Sequence, residues 1–183
     1  MAGAGFMAAR NQEALAGYWS RLSEFCESLG MPQTGIALDD PEAGAYGIFL
    51  ATANLKNISV PLILKPHGNR HGRVQNCLPP KTLWKNILPT LRVADKVAGE
   101  MGERIILRSI YRSPEYNASC PGAAKWSQHL TNRAIDFEMQ SSPQTVAKVV
   151  RGLRDKGAFR GGVGVYRSFV HIDTRGHNAD WTG

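Results

Sequence analysis

Between residues 11 and 29 the apolar side chains Leu15, Trp19, Leu22, Cys26 and Leu29 return at steps of three and four, which predicts an amphipathic helix stopped by Gly30 and Pro32. Residues 31–44 are acidic and turn-rich. Two apolar, β-branched runs follow at residues 46–52 and 58–64 and predict strands, with Pro61 placing the second near a sheet edge. Glycine, asparagine and basic residues make 67–80 a loop. Pro79 and Pro80 then lead into a helical pattern over 82–101 that ends at Gly102 and is kinked or divided at Pro89.

Beyond it, residues 104–109 predict a strand, 111–128 an irregular stretch and 134–137 a further apolar strand. Ser142 and Pro143 start a helix carried by Val146, Val149, Val150 and Leu153 and stopped at Gly157. Residues 162–166 and 169–173 are two closely spaced strands. Helices and short strands without βαβ alternation predict an α+β fold: a compact single domain with a small, mainly antiparallel sheet flanked by helices. The organisation read from the chain is an N-terminal segment with its helix, 1–30, and one domain over 31–183.

Composition narrows the class. The 183 residues suit one ordinary domain, and 43% hydrophobic with 20% charged is average globular usage, which excludes a disordered polymer or a coiled coil. Twenty-two Lys and Arg against 15 Asp and Glu give a net charge of +7 and a pI near 9.6, favouring an acidic partner such as nucleic acid, anionic lipid or anionic wall polymer. The basic residues are scattered and build no finger or ribonucleoprotein motif, so nucleic acid is not the expected partner. No run of about 18 apolar residues is present, so no membrane span is expected. Residues 1–10 lack a basic region ahead of a long apolar core and do not read as a secretory signal. Cys26, Cys77 and Cys120 have no C-x-x-C spacing, which argues against a zinc–thiolate site.

Two segments hold the residues a metal ion would want. In Ser127-Gln128-His129 through Asp136-Phe137, a histidine and an aspartate stand seven residues apart; in Val170-His171-Ile172-Asp173, strand alternation sends His171 and Asp173 to one face. Asp136 lies between apolar Ile135 and Phe137, and a carboxylate in an apolar strand must be paired or bound to a cation. Two imidazoles and a carboxylate are a typical catalytic zinc set with a fourth position open for water. The alternatives are a core histidine that merely packs and an Asp136 paired with an arginine. His67 and His71 are four apart in a glycine-rich loop and read as solvated, and His177 as surface.

These motifs, together with Ser109-Ile110-Tyr111-Arg112-Ser113-Pro114-Glu115-Tyr116-Asn117 and Gly162-Val163-Gly164-Val165-Tyr166, resemble the D-alanyl-D-alanine carboxypeptidase-type zinc peptidases, and within them the murein endopeptidase and phage-endolysin branch. The resemblance covers residues 67–181. It implies a hedgehog/D-Ala-D-Ala-peptidase-like fold, bound Zn2+, and hydrolysis of peptide bonds in peptidoglycan stems, in the cell envelope and by a monomer. His129, Asp136 and His171 match its metal ligands. Asp173 becomes the candidate catalytic base, with orientation of His171 as the alternative role. Arg112 is the candidate for stabilising an oxyanion or holding a substrate carboxylate, against an ion pair with Asp136 or Glu115. Tyr111, Ser127 and Tyr166 are the further candidates for substrate contact, and Trp181 for lining the cleft; Ser127 can alternatively cap a turn.

The chain departs from the family pattern at three places. Ile110 and Asn132 replace glycines, asparagine being the residue next best suited to a left-handed turn. Ser168 stands three residues before His171, where many members carry an acid. That last departure motivates the competing expectation, a noncatalytic peptidoglycan-binding module that keeps the fold.

Overall fold

The computed structural model describes residues 41–183. The predicted helix over 11–29 and most of the turn-rich stretch lie outside the described residues. Five helices, α1 (Pro41–Ala51), α2 (Val60–Leu64), α3 (Leu88–Met101), α4 (Pro114–Ser119) and α5 (Pro143–Asp155), accompany seven strands. Strands β1 (Arg70–His71) and β2 (Val74–Gln75) form a small hairpin. The main sheet holds β3 (Ile106–Ser109), β4 (Ala134–Glu138), β5 (Gly162–Val165), β6 (Val170–Asp173) and β7 (Ala179–Thr182) in the order β3-β4-β6-β5-β7, antiparallel except for β5 and β7. The architecture is the expected α+β one.

Both runs predicted as strands at 46–52 and 58–64 are helices. In α1 the buried residues Ala43, Tyr46, Gly47 and Leu50 recur at three and four, a helical spacing that the aromatic and β-branched composition concealed. Pro61 marks the first turn of α2, where its missing N–H costs nothing, rather than a sheet edge. The carboxylate of Asp95 on α3 gathers the backbone N–H groups of Lys56, Asn57 and Ile58 at 2.6–3.1 Å and so fixes the turn between the two helices. Pro89 sits where a 3-10 stretch, Lys81–Ile87, passes into α3, and Gly102 ends α3 at φ 63. The stretch 111–128 is not wholly irregular: Ser113 accepts from the N–H of Tyr116 and starts α4. Strand β7 had no expectation.

α3 and α5 cover one face of the main sheet. Ile135 and Phe137 of β4, Val163 and Val165 of β5, and Val170 and Ile172 of β6 point into that layer and belong to the core. Alternation sends their neighbours to the opposite face. The register there aligns a row across all five strands, Ser109, Asp136, His171, Gly164 and Trp181. Every non-glycine member of the row is polar or aromatic.

Candidate functional site

His129 belongs to a 3-10 turn, Gln128–Thr131, between α4 and β4. Ser127 caps this turn by accepting from the backbone N–H of His129 at 3.3 Å, and Asn132 closes it at φ 55, ψ 43, the left-handed conformation that suits asparagine. The Asn132 amide is fully buried and donates to the carbonyl of Leu83 at 3.1 Å. The turn is thus fixed from both ends, and it places the imidazole above the Asp136–His171 pair of the row.

Three atoms converge there. Asp136 Oδ1 is 2.7 Å from His171 Nδ1 and 3.2 Å from His129 Nε2, and the two ring nitrogens are 3.3 Å apart. All three residues are buried. The outer nitrogen of each ring decides which electron pairs face inward. His129 Nδ1 meets the carbonyl oxygen of Ile110 at 2.5 Å, which only accepts, so the proton is on Nδ1 and Nε2 carries a lone pair. His171 Nε2 meets Asp173 Oδ2 at 3.1 Å and donates to it, which in the neutral ring leaves the Nδ1 lone pair inward. Two lone pairs and a carboxylate oxygen facing one another repel unless a cation sits among them. Ligand atoms at about 2.0–2.1 Å in a tetrahedral zinc site stand about 3.3 Å apart, so the donor set and its spacing fit that ion.

Electrostatics follow from the same contacts. Burial alone would raise the Asp136 carboxyl, but the two imidazoles outweigh it and hold the group well below the usual carboxylate range. Burial lowers His129, with Asp136 offsetting only part of the effect. For His171 burial acts the same way, yet hydrogen bonds to Asp136 and Asp173 reverse it and raise the imidazole. The central cluster therefore prefers a charged carboxylate among its nitrogens.

Arg112 is held on the flank of the cluster: Nε donates to Ser109 Oγ at 2.8 Å and Nη2 to Asp136 Oδ2 at 2.5 Å. Of the two ion pairs weighed for it, the one with Asp136 forms. Asp173 stands behind His171 with no exposed surface, outside the cleft, accepting from the backbone N–H of Gly162 and from the Arg175 guanidinium as well as from His171. With the His171 ring between it and the cleft, its position is that of the group that orients the ring.

A cleft of roughly 400 Å³ opens over the cluster. Ser127, Tyr166 and Trp181 line it, with Arg112, Trp126 and Arg175. Tyr111 does not line it; the residue is buried, with Cys77 and Glu115 nearby. His67, expected to be solvated, has no exposed surface and packs edge-on against Tyr46, with ring centroids 5.6 Å apart. His71 and His177 are exposed, and Cys77 and Cys120 are free thiols.

Gly164, inside the Gly162–Tyr166 motif, and Arg175, just past the His171–Asp173 motif, carried no functional expectation of their own. A Cβ on Gly164 would lie 2.5 Å from the Trp181 ring, so the missing side chain lets that indole cross the sheet and reach His171, at 5.2 Å between centroids. Glycine inside a strand signals such close approach, and Gly162-x-Gly164 was that signal. Arg175 lies two residues past Asp173, in phase with the strand face that carries it.

No curated protein and no solved structure matches the chain. A family model, Peptidase M15, matches residues 61–173, a span that takes in the 3-10 turn with His129, Asp136 on β4 and His171 with Asp173 on β6. With more than half of its length matched, the chain belongs to the peptidase M15 family.

Proposed function

We propose that this peptidase is zinc-dependent and hydrolyses peptide bonds in the stem peptides or cross-links of bacterial cell-wall peptidoglycan, in the cell envelope. The observation that carries the reading is the inward set of one carboxylate oxygen and two imidazole lone pairs within 2.7–3.3 Å of one another. His129, Asp136 and His171 would hold the zinc, which would lower the pKa of a bound water and polarise a carbonyl. The chain's own groups do the rest. The carbonyl of Ile110 and the carboxylate of Asp173 fix the two imidazole tautomers and orientations. Arg112, held by Ser109 and Asp136, turns its remaining N–H groups to an oxygen that gains negative charge during attack. The net charge of +7 draws the protein to an anionic wall.

The test is zinc analysis of the purified protein, with digestion of purified peptidoglycan by wild type and His129→Ala. Stoichiometric zinc and soluble peptide from the wild type alone are expected; equal release from both proteins would end the reading. One observation favours a second reading, a noncatalytic wall-binding module: among the described residues the cleft is lined by no acid other than Asp136, and Ser168 stands three residues before His171, the place of the acid in the pattern the chain resembles. Sedimentation with insoluble peptidoglycan and no peptide release at any zinc level would select that module.

A further inference from the structure

Starting at Arg112, the site reads as a line of alternating charge: Arg112, Asp136, His171, Asp173, Arg175. A guanidinium stands at either end, and both line the cleft. Their fixed atoms differ from their free ones. Arg112 spends Nε and Nη2 on Ser109 and Asp136; Arg175 spends Nε and Nη2 on Asp173 and lies under the Trp181 indole, with Cζ 5.2 Å from the ring centroid. In each, Nη1 has no partner among the described residues. The acids that balance these arginines cannot serve a ligand. Asp136 faces the cluster with one oxygen and Arg112 with the other, and Asp173 is sealed from the cleft. Around the line two arginines balance two aspartates, so a divalent ion at the cluster leaves the cleft with an excess of two positive charges.

We propose that Arg175 is a second substrate anchor, which binds a carboxylate of the wall peptide on the far side of His171 from Arg112; the proposal rests on the hydrolase reading above and names the charge its substrate carries. Arg112 lies against Asp136 and so serves the carbonyl at the cluster. Arg175 is separated from the cluster by Asp173 and His171, which places it for a neighbouring group of the substrate. Its planar head is held in place by Asp173 and by the indole before any ligand arrives, so a carboxylate meets an N–H donor already oriented, with little side-chain freedom left to lose.

The experiment uses two synthetic stem-type peptides that differ in one group, a free carboxylate against its carboxamide beside the cleaved bond. Cleavage by the zinc-loaded full chain is measured as kcat/KM, and binding of non-cleavable versions by calorimetry. For the wild type the carboxylate peptide is expected to be preferred roughly ten- to hundredfold, mostly in KM. Arg175→Gln is expected to erase the preference and Arg175→Lys to keep part of it. A wild type that treats the two peptides alike, or an Arg175→Gln protein that still discriminates, overturns the proposal. Should Arg175→Gln lose all cleavage through its contact with Asp173, the ratio of the two dissociation constants decides in its place, circular dichroism having shown the fold intact. A wild type that binds with the expected preference and cleaves neither peptide sinks the hydrolase reading while leaving the anchor standing.

Discussion

The domain buries three histidines in two settings. His129 and His171 sit in a cluster where each ring nitrogen has a defined partner and two carboxylates share the charge. His67 is buried as completely, with its ring edge-on to Tyr46, but faces no acid among the described residues: Nδ1 meets the carbonyl of Leu64 at 3.2 Å and Nε2 has no partner there. Desolvation pushes His67 down to about 4, whereas the same desolvation at His171 is overcome by Asp136 and Asp173. Burial by itself makes a histidine inert. A site begins where buried carboxylates restore its affinity for a cation.

The sharpest way to break this contrast is to remove the shared carboxylate. Asp136→Asn should abolish stoichiometric zinc and lower peptide release about a thousandfold or more, since a metal site contributes several kcal/mol to the barrier; elemental analysis and a peptidoglycan digest check both. Arg112→Ala leaves the cluster's ligands in place and should cost about 10²–10³ in kcat, the scale of one lost oxyanion donor, with zinc content unchanged. Asp173→Asn is expected to weaken zinc affinity by about 10–100-fold in competition with a chelator, because the His171 ring loses its orienting charge.

Much of the cluster was legible because strand alternation is rigid: once residues 134–137 and 169–173 read as strands, Asp136, His171 and Asp173 could only share the polar face. His67 was not legible. Its glycine-rich surroundings suggest solvent, and the burial comes from tertiary packing that includes the Tyr46 ring of α1. The same helix defeated the local reading of residues 46–52, whose aromatic and β-branched side chains suit a strand but pack by a helical spacing set by the rest of the domain. Asp173's place behind the ring was also hidden, since sequence tells which face a side chain takes but not which atom it meets.

The smallest effect on catalysis belongs to His67. Its folded pKa lies below the ordinary value of about 6.5, so the unfolded chain takes up the proton first. The stability tied to its neutral form is complete above about pH 6.5 and is lost as pH falls towards 4, by about 3 kcal/mol in all. His67→Leu should therefore flatten urea-unfolding stability over that window relative to wild type while leaving zinc content and peptide release near neutral pH unchanged; parallel pH curves for the two proteins would contradict it.

Trp181 belongs to an edge strand, where substitutions are ordinarily forgiven. Here the outermost strand is wired inward: α5 grips it through Arg151 and Arg154 on Asp180, and its indole spans the bare backbone of Gly162 and Gly164 to touch His171. Loosening the periphery at this one margin would be felt at the catalytic centre, so the rim of the sheet is as constrained as its middle.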